Sequence, residues 1–152
     1  MRILSPSLFK DHKVIINRVL ERPIDLKLKE SIEKDSAEAH SMLCKHKFSS
    51  AIHIIAKMLN DVNEYLQMNE MWKVSDSVVK SSCVYYALES MKIITSLLYS
   101  YVPAIVTGVV DYCGFTNFSS KFQLKFQEPH NNQIIVLPPD FNAIKKAIIK
   151  SK

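Results

Sequence analysis

"FSSAIHIIAKMLNDVNEYLQMNEMWKVSD", residues 48–76, sets Ile52, Ile55, Leu59, Val62 and Leu66 three to four positions apart and then places Trp72 among charged and polar neighbours. That spacing is the period of one helical face, so it predicts a helix that opens at Ser49/Ser50 and ends before Trp72. Such a stripe needs a covering partner, and the following residues supply one. From about Asp76 onward, Val79, Cys83, Tyr86, Ser90, Ile93/Ile94 and Leu97/Leu98 repeat the same period until Pro103 breaks or restarts the helix, with Gly114 closing a shorter one. The two stripes predict an antiparallel helical bundle whose core contains Leu59, Val62, Ile94 and Leu98.

Upstream, Ser5-Pro6-Ser7 offers a helix start, and Leu8, Val14/Ile15 and Val19 lie near one face until Pro23 stops the run. A second helix is expected over about Leu28 to Lys47, with a narrow apolar side of Ile32, Ala39, Met42 and Leu43. Downstream of Gly114 the period changes from helical to alternating. "KFQLKFQ" alternates, "QIIVLPP" is β-branched and "EPHNN" between them holds turn residues, so residues 121–138 read as a small hairpin. A basic terminal helix, "DFNAIKKAIIKSK", starts at Asp140. The fold class is therefore mostly α, with residues 1–118 as the bundle and 119–152 as a basic hairpin-plus-helix extension of the same domain.

Composition agrees with one helical domain. The chain has 152 residues, 47% of them hydrophobic, and 2 glycines and 6 prolines, too few for a tight-turned sandwich or barrel. The cysteines Cys44, Cys83 and Cys113 are odd in number and widely spaced, which points to a reducing, intracellular setting without disulfides, cytoplasmic or mitochondrial. The Arg/Lys-rich start is compatible with an organellar presequence, but its apolar groups recur at helical spacing, and it reads as helix. Residues 93–110 carry no charge over the shortest length that spans a bilayer, yet Pro103 and four hydroxyl residues interrupt them, so a bent, buried helix pair is expected and no membrane partner.

Net charge is +5 and unevenly spread. Residues 1–30 hold seven Lys/Arg against four Asp/Glu, residues 31–118 seven against nine, and residues 119–152 six against two. Basic ends around an acidic middle suit a polyanion, because each neutralised phosphate releases counterions. Lys13, Lys145, Lys146 and Lys150 in the basic ends, with Lys73 next to Trp72, are the candidate phosphate contacts. No catalytic signature occurs: there is no glycine-rich phosphate loop, nucleophile elbow or Cys-x-x-Cys pair. His40, Cys44 and His46 are too few for a metal site without further ligands, and no metal or cofactor is expected. Glu33, Asp35 and Glu38 read as a solvated helix face.

Trp72 has two readings. It either plugs the end of a helical hairpin, half-buried, or keeps one face open for an unstacked base, worth about 1–3 kcal/mol. Here the sequence resembles a family. "DVNEYLQMNEMWKV" and "YYALESMKIITSLLYSYVP" are similar to the paired helices of the anticodon-binding domain of methionyl-tRNA synthetases, with Asn63, Tyr65, Leu66, Trp72, Lys73, Leu88, Glu89, Ile93, Ile94, Leu97, Leu98 and Pro103 at matching positions. "FSSAIHIIAKML" resembles the helix before them, and "IINRVL", residues 15–20, the element that opens that bundle. The match spans about residues 14–115.

The resemblance implies a class I synthetase anticodon-binding bundle that reads a CAU loop, with Trp72 stacking on a base and Arg18 bonding to base edges. The family's Asn falls on Val14 here, and Asn17 is the stand-in. Met71 and Lys92 also depart from the pattern, and the segment between Arg18 and Phe48 is shorter. The catalytic half, with its His-Ile-Gly-His and Lys-Met-Ser-Lys-Ser elements, does not occur in this chain, so at most it is the non-catalytic part of a methionine–tRNA ligase. The expected partner is RNA, either a tRNA anticodon loop or ribosomal RNA, with a catalytic synthetase domain or ribonucleoprotein subunits beside it. The alternatives are a structural subunit recruited into a ribonucleoprotein such as a mitochondrial ribosome, and a protein-interaction module docking through residues 93–110.

Overall fold

The computed structural model describes residues 13–16, 19–70, 73–113, 123–128 and 133–136. Three helices of equal length form the body: α1 (Pro23–Cys44), α2 (Phe48–Asn69) and α3 (Ser77–Leu98), each of 22 residues. A shorter α4 (Pro103–Cys113) packs on α3, and a two-stranded ribbon, β1 (Lys13–Ile16) with β2 (Gln133–Val136), lies against the bundle at β1. Helices α1, α2 and α3 pack against one another, with α2 antiparallel to the other two, so that α1 and α3 begin, and α2 ends, at the same end.

The stripe that decided the reading is the one that is buried. Ile55, Val62 and Leu66 on α2 meet Ile93, Ile94 and Leu97 on α3 and Ile32 and Ala39 on α1 in one core. Each fully buried aliphatic side chain of this kind contributes roughly 1.5–3 kcal/mol. Of the four expected core residues, Val62 and Ile94 are buried, whereas Leu59 and Leu98 flank the core half-buried. Helix α3 differs from the others in being buried on nearly every side from Ser81 to Ser90, as the central helix of the bundle must be. Asp76 caps it, accepting from Val78 N at 2.8 Å and Val79 N at 3.4 Å.

Three expectations are corrected. The expected first helix is corrected where it is described: Lys13–Ile16 is a strand, because Val14, Ile15 and Ile16 are a β-branched run with a partner strand to pair with, and the start of that helix at residues 5–12 lies outside the described residues. Pro23 does not stop a helix but starts one, its fixed φ and missing N–H suiting the first helical position. Among the described residues of 121–138 no hairpin is found either. Strand β2 pairs with β1, antiparallel, in the register Lys13↔Val136 and Ile16↔Gln133, and residues 123–128 run instead as a strap over α1 and α3.

The strap explains why its alternation misled. Leu124 and Phe126 do face inward, packed on the core, but their backbone finds side chains rather than a neighbouring strand. Ser36 Oγ donates to Leu124 O at 2.9 Å, Phe126 N to Glu33 Oε1 at 3.0 Å, and Gln127 N to Glu89 Oε2 at 3.1 Å. Ser96 exchanges hydrogen bonds with Gln123, and Tyr85 Oη donates to Gln127 O. Glu33 and Asp35 are therefore not a solvated face: the first holds the strap, and the second is buried and paired with Lys57 of α2. Glu38 is exposed as expected. The closing residue Gly114 and the terminal helix 140–152 lie outside the described residues. No helix among the described residues is long and apolar enough to cross a membrane.

Candidate functional site

The end of the bundle where α1 and α3 begin and α2 ends is organised around Asp25. This residue is 0% exposed, in the first turn of α1, where the helix dipole favours a carboxylate. A buried carboxylate is costly unless its oxygens are bonded and its charge is met, and here both conditions hold. Arg22 reaches it through Nε to Oδ2 and Nη2 to Oδ1, each at 2.8 Å, in the fork geometry that suits guanidinium and carboxylate. The Arg22 backbone N–H adds a bond to Oδ2 at 3.1 Å, and Tyr65 Oη from α2 donates to Oδ1 at 2.7 Å. Arg22 Nη2 also lies 3.2 Å from Cys83 Sγ on α3, so one short cluster ties together all three helices.

Its electrostatics mark it as a clamp rather than a reactive set. The hydrogen bond to Asp25 pushes the Arg22 guanidinium up despite burial, which pulls the other way. Burial pushes the Tyr65 phenol and the Cys83 thiol up, the latter against the opposing charge of Arg22. Arginine, phenol and thiol are thus each held in their protonated form at neutral pH, which suits holding a shape and gives no nucleophile or base.

Two chain segments leave from this clamp. Before α1, Leu20 N donates to Ser82 Oγ of α3 at 2.7 Å, and Ser82 Oγ in turn bonds to Val78 O at 2.9 Å. After α2, Asn69 Nδ2 bonds back to Tyr65 O, Glu70 turns out of the helix in the left-handed region at φ 40°, and Lys73 N closes onto Glu70 O at 2.7 Å. Beside the clamp an open groove of about 200 Å³ runs along the junction of α1 and α2, lined by Ile24, Leu28, Tyr65 and Met68. Its rim mixes Lys27 and Lys57 with Asp61 and Glu64, which gives it no strong preference of charge.

The sequence-predicted residues stand as follows. Trp72, Arg18, Asn17, Lys145, Lys146 and Lys150 lie outside the described residues. The backbone of Lys13 opens β1 opposite Val136. Lys73 is exposed in the α2–α3 connection and bonded to Glu70 at 2.8 Å, a surface pair that competes weakly with any other anion. His40 and Cys44 approach to 3.9 Å, and among the described residues no group of three or more His, Cys, Asp or Glu is placed to hold a metal. Sequence reasoning missed the clamp, although the run Arg22-Pro23-Ile24-Asp25 carried a signal: proline at N1 with an acid two residues later marks a helix start.

No protein-family model and no curated protein matches the chain. Solved structures do. A crystal structure of Mycobacterium tuberculosis methionyl-tRNA synthetase bound by methionyl-adenylate superposes with a TM-score of 0.74 and 20% identity over 91% of this chain and 28% of that one. The free-state structure of the same enzyme gives a TM-score of 0.66 and 18% identity over 90% of this chain and 30% of that one. The fold is that of a part of these synthetases, and the chain spans less than a third of their length.

Proposed function

We propose that the chain is an RNA-binding module that recognises an unpaired loop with the Asp25 end of its bundle, the tRNA anticodon loop being the ligand that the likeness favours. In this reading Trp72 stacks on a base, Arg18 and Asn17 bond to base edges, and Lys13, Lys73, Lys145, Lys146 and Lys150 meet phosphates. The observation that carries it is the arrangement at that end. The segment running into Leu20 and the connection leaving Asn69, which hold these aromatic and polar residues in the sequence, both start from helix ends tied to one buried carboxylate. Loop recognition needs such stiffness, since a base-reading group that must first be ordered gives up affinity.

The test compares two anticodon stem-loops, one with CAU and one with a substituted base, at fixed salt because charge alone mimics affinity. Trp72→Ala is expected to weaken both by about 1–3 kcal/mol. Arg18→Ala is expected to weaken by a similar amount only where the base it faces is present. Equal binding of both loops by the unmodified protein, unaltered by either variant, would retire loop reading and leave the recruited structural subunit as the better account.

A further inference from the structure

The opposite end of the bundle, where α1 ends, α2 begins and α3 passes into α4, carries features that the clamp and the helical core do not use. The described segments 19–70, 73–113 and 123–128 hold 11 Lys/Arg against 13 Asp/Glu, so the body as a whole is slightly acidic. This end is the exception. Residues 39–60 contain Lys45, Lys47 and Lys57 with His40, His46 and His53 and no carboxylate, and residues 90–110 contain none either. Lys57 is taken up by Asp35 and Asp61, whereas Lys45 and Lys47 project from a stretch, residues 44–50, that is exposed throughout.

Aromatic rings interleave with these charges. Phe48 is 52% exposed, and its ring meets that of His46 at 6.0 Å between centroids and the edge of Tyr101 at 6.2 Å. Tyr101 Oη donates to Phe48 O at 2.7 Å, fixing the turn before α4 against the start of α2. Tyr99 adds a second partly exposed ring on the same turn. The backbone here also departs from what the local turn favours. His46 stands at φ 56°, a setting that glycine takes freely, and Lys47 occupies the N-cap of α2 without making a capping hydrogen bond. Locally disfavoured residues that keep a charge and a ring at the surface are where selection for something other than stability is to be looked for.

We infer that Lys45, His46, Lys47 and Phe48 form a second RNA-contacting surface, which takes the backbone and one stacked base of an unpaired strand. Charge selects a polyanion, and the exposed Phe48 ring next to the two lysines selects one with flat, stackable groups at short intervals, which RNA has and an acidic peptide lacks. At about 1.5 Å of rise per residue, the stretch of α2 from Phe48 to Tyr65 puts this surface roughly 25 Å from the clamp. The inference goes beyond loop reading and does not depend on it.

The experiment uses the full chain and a labelled ten-nucleotide oligouridylate, with affinity followed by fluorescence polarisation across a salt series. Replacing both lysines, Lys45→Gln with Lys47→Gln, is expected to lower the magnitude of the log K against log salt slope by about 1.4, since each single-strand phosphate contact contributes about 0.7. Phe48→Ala is expected to weaken binding about tenfold at every salt concentration and leave the slope unchanged. Discrimination between the two anticodon stem-loops should persist in the lysine variant, so that failure at one end is distinguishable from failure at the other. No binding of the oligouridylate, an equal slope change from the charge-matched pair Lys27→Gln with Lys29→Gln, or equal competition by oligoglutamate would overturn the inference. The exposed lysines make that arm independent of any folding defect in Phe48→Ala.

Discussion

Tyr65 Oη donates to Asp25 Oδ1 at 2.7 Å, joining α2 to the first turn of α1 across 40 residues of sequence. Because Asp25 is fully buried and also holds Arg22, this bond and the ion pair share one carboxylate, whose loss removes both.

Removing the carboxylate should therefore cost more than removing the phenol. Asp25→Ala leaves Arg22 and Tyr65 without their acceptor and is expected to destabilise by about 3 kcal/mol. Tyr65→Phe, which keeps the ring, is expected to cost about 1–2 kcal/mol. Urea unfolding followed by circular dichroism measures both, and an Asp25→Ala loss no larger than that of Tyr65→Phe would contradict the shared-acceptor account.

The same burial sets an alkaline limit. Burial raises Tyr65, Tyr85 and Tyr86 above their ordinary value, with Tyr86 at about 12, and raises Cys83 above 9. A group whose pKa is raised on folding binds more protons folded than unfolded, so its contribution is complete below the unfolded value and is lost as pH rises through the folded one. Stability is expected to fall as pH climbs from about 9 through 12, by up to about 1.4 kcal/mol per pH unit for each such group. Tyr65→Phe should flatten that fall, and an unchanged slope in stability curves measured from pH 8 to 12 would count against it.

The strap gives a local prediction. Glu89 is buried, pairs with Lys92, and accepts from both Gln123 Nε2 and Gln127 N. Glu89→Ala is expected to free residues 123–128 before the helices loosen, raising amide exchange at Phe126 and Gln127 at least tenfold while exchange in the middle of α2 changes less. A uniform rise across both would show that strap and bundle open as one unit.

Ser82→Ala tests the link between the clamp and the proposed reader. The hydroxyl accepts from Leu20 N, and its loss is expected to cost about 1 kcal/mol of stability. Discrimination between the two anticodon loops should drop by more than the stability change explains. Full discrimination in a folded Ser82→Ala variant would show that this bond does not position the reader.

What the sequence revealed follows from what each segment had to satisfy. The stripe Ile52, Ile55, Val62 and Leu66 was legible because a helical face needs only its own period to be seen, and the same period marked the start of α3 near Asp76. The strap was not. Its alternation is real, but the partners of its backbone are Ser36, Glu33, Glu89 and Ser96, side chains 27 to 93 residues away. The strand at Val14 to Ile16 was misread for a similar reason, since its choice between helix and strand depended on a partner, Gln133–Val136, more than a hundred positions distant. The clamp hid because Asp25, read alone, is an ordinary first-turn acid.

The burial of α3 on nearly every side has a consequence for how the sequence can change. A helix with one buried face accommodates a shifted phase by rolling on its neighbour. From Ser81 to Ser90, α3 has no free side onto which to roll, with α1, α2, the strap and β1 arranged around it. One inserted residue within that stretch turns everything after it by about 100°, carrying Ile93, Ile94 and Leu97 out of the core and aiming polar neighbours into it. Substitutions in α3 can be absorbed one at a time, but its length between Asp76 and Pro103 is fixed by the bundle it phases.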